Sequence, residues 1–292
     1  MTAPPGVVVQ PDSPLGAALA ELAARARMVF LAGLPGTGKS LLLHQLAHLA
    51  HAAGRCVHRL QWDVARPPFE DSPAGRRHPA VAGVTHGIVR VAVGRWARAA
   101  LGRWPAAHPG PEHLLIGETP LVGHRLIELA RRADDAAEPV LDAESTRFVI
   151  PVPSGPVRAH LEAERERRAV APVHERERED APPAVLRDLW RELVGVAATL
   201  GVQAGEPRGG AWDPGVYARV YEAVLRHRRP RVLALDTILP TARLSVYDFR
   251  VPAVDLVPTA AEVERFMAEA EAAWPEPAAL QAALARWYVL DG

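Results

Sequence analysis

The chain has 292 residues, 34 basic against 34 acidic side chains, and 49% apolar content. That length holds one large α/β domain or two small ones, with enough apolar material for a sizeable core. The balanced charge supplies no global field that would make nucleic acid or a membrane surface an obligatory partner. The single Cys56 excludes an internal disulfide and suits a reducing cytosol.

Taken in order, residues 1–12 are proline-rich and expected to be a loose leader. They are too short for a signal h-region, and no run reaches about 18 apolar residues. A cytoplasmic chain without a membrane span is therefore expected. Ser13-Pro14 reads as an N-cap with Pro at the first helical position, opening a helix from Leu15 to Arg27. Met28 to Ala32 is a short apolar run, the mark of a buried strand. It leads into Gly33-Leu34-Pro35-Gly36-Thr37-Gly38-Lys39-Ser40 and a leucine-rich helix. Gly54 is a plausible end to that helix, and Cys56 to Trp62 reads as a second strand, with Cys56 as inert core. Residues 67–78 form a polar, proline-broken loop, and Ala80 to Trp104 is largely helical.

His113 to Ile116 reads as a third strand running into Gly117-Glu118-Thr119-Pro120. A helix from Leu121 to Ala133 and an acidic connection from Asp134 to Glu144 are expected next. Arg147 to Val152 is a fourth strand, followed by a charged helix from Val157 to Val170 and a charge-dense stretch to Asp180. Pro183 to Leu200 and Pro214 to Arg228 are amphipathic helices. Arg231 to Leu235 is a fifth strand, Ser245 to Phe249 a short edge strand, and Thr259 to Trp274 and Pro277 to Tyr288 closing helices. Solid apolar strands alternating with helices predict an α/β fold: a parallel five-stranded sheet with helices on both faces. We expect a single domain over 1–292, with a core of about 15–240, a charged lid at 153–180 and a C-terminal helical segment at 258–292. Ligands in such sheets bind beyond the carboxyl ends of the strands. That rule collects Gly33–Ser40, Asp63–Arg66, Glu118, Pro153–Arg158 and Asp236 on one rim.

The stretch Gly33–Ser40 fits G-x-x-x-x-G-K-[ST] at every fixed position, between a strand and a helix, which is the setting of a phosphate-binding P-loop. Its N–H groups and the positive end of the following helix suit an anion. Gly33, Leu34, Pro35, Gly36, Thr37, Gly38, Lys39, Ser40 and Leu41 are the expected binding residues for ATP or another NTP. Lys39 is placed to reach the β/γ-phosphates, and the Ser40 hydroxyl to ligate Mg²⁺. Lys39 is also the only lysine in the chain; every other member of the 34 Lys+Arg is arginine. Arginine is a planar fork and lysine a compact point charge, so the exception sits where the motif requires it.

The order of parts resembles the P-loop kinases of nucleotides and small metabolites. It runs from the P-loop through two strands that end in acids, then through a fourth strand to an arginine-bearing helix. This resemblance covers roughly residues 28–240. It implies a phosphotransferase holding MgATP and acting on an unidentified small-molecule acceptor. Under it, Asp63 accepts the proton of the attacking hydroxyl, and Arg66 and Arg125 hold the acceptor. Glu118 orders Mg²⁺ through water or serves as the base instead. Arg158, Arg165 and Arg168 close as lid residues. The third strand ends in Gly117-Glu118 rather than the Asp-Gly of nucleoside-monophosphate kinases, which leaves the acceptor open.

Each of these residues also has a plainer role. Asp63, Glu118 and Asp236 suit helix caps. The run Leu161 to Asp180 alternates Glu and Arg, as a solvated helix does. Arg90, Arg95 and Arg98 beside Trp96 suit a surface helix as well as a phosphate site. His44, His48 and His51 share a helical face but lack a carboxylate or Cys to complete a metal set. The competing class is a P-loop ATPase, AAA+-like or regulatory, without a small-molecule acceptor. With no Asn in the chain there is neither the base-reading motif of standard GTPases nor a protein-kinase catalytic loop.

Overall fold

The computed structural model describes residues 6–81, 83–203, 210–241 and 244–290. Helix α1 (Pro14–Arg25) leads into strand β1 (Met28–Ala32) and helix α2 (Lys39–Ala52). Ser13 caps α1 by accepting from the Gly16 N–H at 3.0 Å, as its sequence requires. Strand β2 (Cys56–Gln61) is followed by two single-turn helices, α3 (Trp62–Ala65) and α4 (Pro67–Glu70), and by the long helix α5 (Gly87–Ala107). Strand β3 (His113–Thr119), helix α6 (Glu138–Leu141) and strand β4 (Thr146–Pro153) come next. Helices α7 (Gly155–Val170), α8 (Pro183–Thr199) and α9 (Pro214–Val224) precede strand β5 (Pro230–Leu235). Strand β6 (Val254–Asp255) and helices α10 (Ala260–Ala273) and α11 (Pro277–Ala285) complete the order.

The sheet is entirely parallel, in the order β5-β4-β1-β3-β2-β6. It has six strands where five were expected. The sixth is not Ser245–Phe249, which folds as a 3₁₀ turn at Val246–Asp248 under a Ser245 cap. It is Val254–Asp255, paired to His58 and Arg59 and fastened by the Arg59–Asp255 ion pair at 2.8 Å. Two residues are too short a run for periodicity to reveal.

Strand β1 is buried along its whole length, and its side chains divide between two layers. Val29 and Leu31 pack with Leu19, Leu22, Leu42 and Leu46 of α1 and α2. Met28, Phe30 and Ala32 pack in the larger core built on α5 and α8 to α11. Phe30 stacks on Phe148 with ring centroids 4.8 Å apart. The same ring fixes Gly117, because a Cβ there would lie 2.4 Å from Phe30 Cδ1. The glycine before Glu118 is thus dictated by packing.

Three further expectations are corrected. Leu121 to Ala133 is not a helix but two 3₁₀ turns, Val122–His124 and Ile127–Leu129. Leu121, Gly123, His124 and Leu126 all take φ between 60° and 64°, and the buried apolar side chains of the turn hold that backbone in place. Cys56 is exposed at the start of β2 rather than in the core. The leader is not loose from residue 6 onward: Gln45 accepts from the Val8 N–H at 2.6 Å and donates to Gly6 O at 3.0 Å, and Val9 is buried. Among the described residues, no helix is long and apolar enough to cross a membrane.

Candidate phosphate-binding site

The chain leaves β1 toward β2 and leaves β4, its neighbour, toward β5. The two connections diverge and open a crevice at the carboxyl end of the sheet, where ligands of such sheets bind. Gly33–Ser40 fills the first of these turns. Gly36 (φ 74°) and Gly38 (φ 87°) are left-handed, a conformation that side chains resist. Gly38 is the N-cap of α2, so the first N–H groups of that helix face the turn. Lys39 is its first residue.

Lys39 is almost fully buried. Its Nζ donates to the Leu34 carbonyl at 2.7 Å and lies 3.6 Å from Glu118 Oε1. Ser40 Oγ donates to the same carboxylate, 3.2 Å from Oε1 and 3.1 Å from Oε2. Sheet register explains the meeting, because Glu118 stands level with Leu31 of β1 and Gln61 of β2. Burial pulls the Lys39 ammonium below its ordinary pKa, while the charges of Glu118 and then Asp63 oppose that shift. Gly36, Gly38, Lys39, Ser40 and Leu41 open onto a cleft of about 1140 Å³, including its mouth. One wall is α7 and the other is the segment after β5.

The other predicted residues divide into three groups. Asp63 is exposed on α3, close enough for its charge to act on Lys39, Arg125 and Asp180. Arg165 and Arg168 line the cleft but are already paired, Arg165 with Asp180 and Arg168 with Glu164 and Glu177. Arg158 lies beneath the loop. Its Nη1 donates to Gly36 O at 2.9 Å, its Nε to Glu162 at 2.7 Å, and its guanidinium stacks 4.8 Å over Trp212. Asp236 is exposed at the end of β5.

Arg66 is paired with Glu70, one turn along. Arg125 donates to the Val122 carbonyl at 3.1 Å and converges with Arg90 on Gly123, whose carbonyl accepts from Arg90 Nη1 at 2.8 Å. Among the described residues neither guanidinium forms a salt bridge; Glu192 is an opposing charge that both feel. Burial, helped by the neighbouring Arg125, brings the Arg90 pKa down to about 10. His44 and His48 lie against the Phe249 backbone and, among the described residues, gather no metal set.

Sequence reasoning missed what supports the loop. Tyr217 lies directly under Gly33, where a Cβ would meet its hydroxyl oxygen at 2.1 Å. Trp190, Trp212, Tyr217 and Tyr221 form a continuous stack with successive centroids 4.7, 4.9 and 5.0 Å apart. The i,i+4 spacing of Tyr217 and Tyr221 was the only trace of this in the sequence. Tyr221 also donates to Pro120 O at 2.9 Å, which ties the tip of β3 to the same stack.

No protein-family model, no curated protein and no solved structure matches this chain. The parallel α/β sheet is compatible with a P-loop fold.

Proposed function

We propose that the chain binds a nucleoside triphosphate, ATP or a relative, with Mg²⁺, and transfers its terminal phosphoryl group to a small acceptor. One observation carries this reading: Lys39 Nζ, Ser40 Oγ and the Glu118 carboxylate meet at the start of α2, on the floor of an open cleft. The ammonium and the loop N–H groups suit phosphate oxygens, and a hydroxyl beside a carboxylate suits Mg²⁺ with its waters. Phosphoryl transfer needs little more than positioning and charge neutralisation. Lys39 would exchange its bond to Leu34 O for a phosphate oxygen. Asp63 would take the proton of the acceptor hydroxyl. Arg66, Arg125 and Arg90 favour an acceptor that itself carries an anionic group, since Arg90 and Arg125 are desolvated cations without a salt bridge. Arg165 and Arg168 would leave their carboxylate partners to close the cleft, whereas Arg158 braces the loop. The exposed free thiol of Cys56 fits a reducing cytosol.

The test is turnover of MgATP by the purified chain, alone and with a panel of phosphorylated and carboxylated alcohols. Slow hydrolysis alone and faster ADP release with one acceptor are expected. Rapid hydrolysis that no acceptor changes would move the chain to the class of ATP-driven switches and motors.

A further inference from the structure

Three imidazoles meet at the opposite end of the sheet, where β2 and β3 begin. His58 is the third residue of β2, His113 the first of β3, and His108 the C-cap of α5. Sheet register and the fold of α5 onto that face bring them together, although they are 50 and 5 residues apart in sequence. His58 Nε2 and His113 Nδ1 are 3.1 Å apart, and one ligand atom from each of the three residues falls within 4.8 Å of the others. The ring centroids are 4.2 to 5.2 Å apart. A four-coordinate Zn²⁺ with bonds of about 2.0–2.1 Å to nitrogen separates its ligands by roughly 3.3 Å, close to the His58–His113 gap.

Two features of this cluster suit a metal. His58 is buried and its Nδ1 has no hydrogen-bond partner among the described residues; His44 and His124 share that feature, but among the described residues only His58 has two further imidazoles beside it. His113 turns Nδ1 toward His58 while its Nε2 lies 3.5 Å from Glu112 Oε1. A carboxylate behind a metal-ligating imidazole orients the ring and raises its basicity. The turn that carries His108 is fixed separately, because Arg27 donates to the carbonyls of His108, Pro109 and Gly110.

We propose that His58, His108 and His113 bind one divalent transition metal of the Zn²⁺ class, with Glu112 as the outer carboxylate and the fourth position left to water. Imidazole ligands select such metals over Mg²⁺ or Ca²⁺, so the site is separate in chemistry as well as in place from the Gly33–Ser40 cleft. The metal fastens the α5–β3 connection to the start of the two strands.

The experiment is titration of the chelator-treated full chain with Zn²⁺ and with Co²⁺, in excess Mg²⁺ and saturating nucleotide to occupy the cleft. One equivalent of Zn²⁺ should bind and raise Tm. Co²⁺ should develop the visible absorption of a four-coordinate, nitrogen-ligated ion. His108→Gln and His113→Gln, at half-buried positions, should each weaken binding at least about tenfold while leaving the nucleotide-induced rise in Tm unchanged. Glu112→Gln should weaken it less. Substoichiometric binding by the wild type, a six-coordinate Co²⁺ spectrum, or wild-type affinity in both histidine variants would overturn the proposal. The Co²⁺ spectrum of the wild type decides even if a variant fails to fold.

Discussion

The tip of β1 and helix α7 both bring cationic side chains to the same cleft, yet they are organised in opposite ways. At the tip, one ammonium and one hydroxyl are held by backbone geometry and meet a single carboxylate at 3.1 to 3.6 Å. On α7, each arginine that was expected to act on phosphate is already satisfied. Arg158 holds Gly36 O and Glu162, Arg165 holds Asp180, and Arg168 holds Glu164 and Glu177. The difference teaches that a motif defined by backbone shape keeps its geometry in the fold, while a charge pattern first neutralises itself. Any closure by α7 must exchange existing, partly buried partners for a ligand's oxygens.

The sharpest way to break the comparison is Glu118→Gln. It removes the carboxylate that Ser40 and Lys39 share, so turnover should fall by about 100-fold or more while nucleotide binding without Mg²⁺ persists. Unchanged steady-state rates would separate the tip of β3 from the site. Arg158→Ala against Arg165→Ala sharpens it within one helix. The first loses a buried guanidinium that holds a loop carbonyl, and urea denaturation should show a loss of about 2 kcal/mol. The second breaks a partly buried cleft-wall pair that touches no loop carbonyl, so stability should fall less than in the first while turnover drops. Equal stability losses would make α7 uniform and end the distinction.

Gly36→Ala asks whether the loop's shape matters as claimed. At φ 74°, with a Cβ 2.9 Å from Leu186 Cδ1, it should cost about 1–2 kcal/mol and weaken nucleotide binding. A separate test lies far from the cleft, as a control on buried charge. Burial alone would raise the Glu138 carboxyl, but bonds from Arg228 and Arg98 outweigh it and hold the pKa at about 2, against 4.5 when unfolded. A depressed carboxylate stabilises the fold above its unfolded pKa and loses that contribution as pH falls through the folded one. Wild type should therefore lose more stability than Glu138→Gln between pH 4.5 and 2, read from melting curves.

What the sequence made legible follows the same division. Gly33–Ser40 was readable because fixed glycines, a lysine and a serine encode a backbone shape locally. The strands β1 to β5 were readable from solid apolar runs. Arg158 was visible as a charge but not as a brace, because its partners Gly36 and Trp212 lie far along the chain. The segment after Glu118 read as a helix because its apolar spacing is helical, while four positive φ values arise from packing that no local pattern records. The two-residue β6 and the convergence of His58, His108 and His113 depend on sheet register, which appears only once the strands are paired.

The central claim is that the lone lysine holds a polyphosphate at the tip of β1. The direct measurement is thermal unfolding of wild type and Lys39→Ala with and without MgATP, with circular dichroism confirming that both fold. The account predicts that MgATP raises the wild-type Tm and that the variant loses most of that rise. A wild type indifferent to every nucleoside triphosphate, or a variant stabilised as much as the wild type, would contradict it.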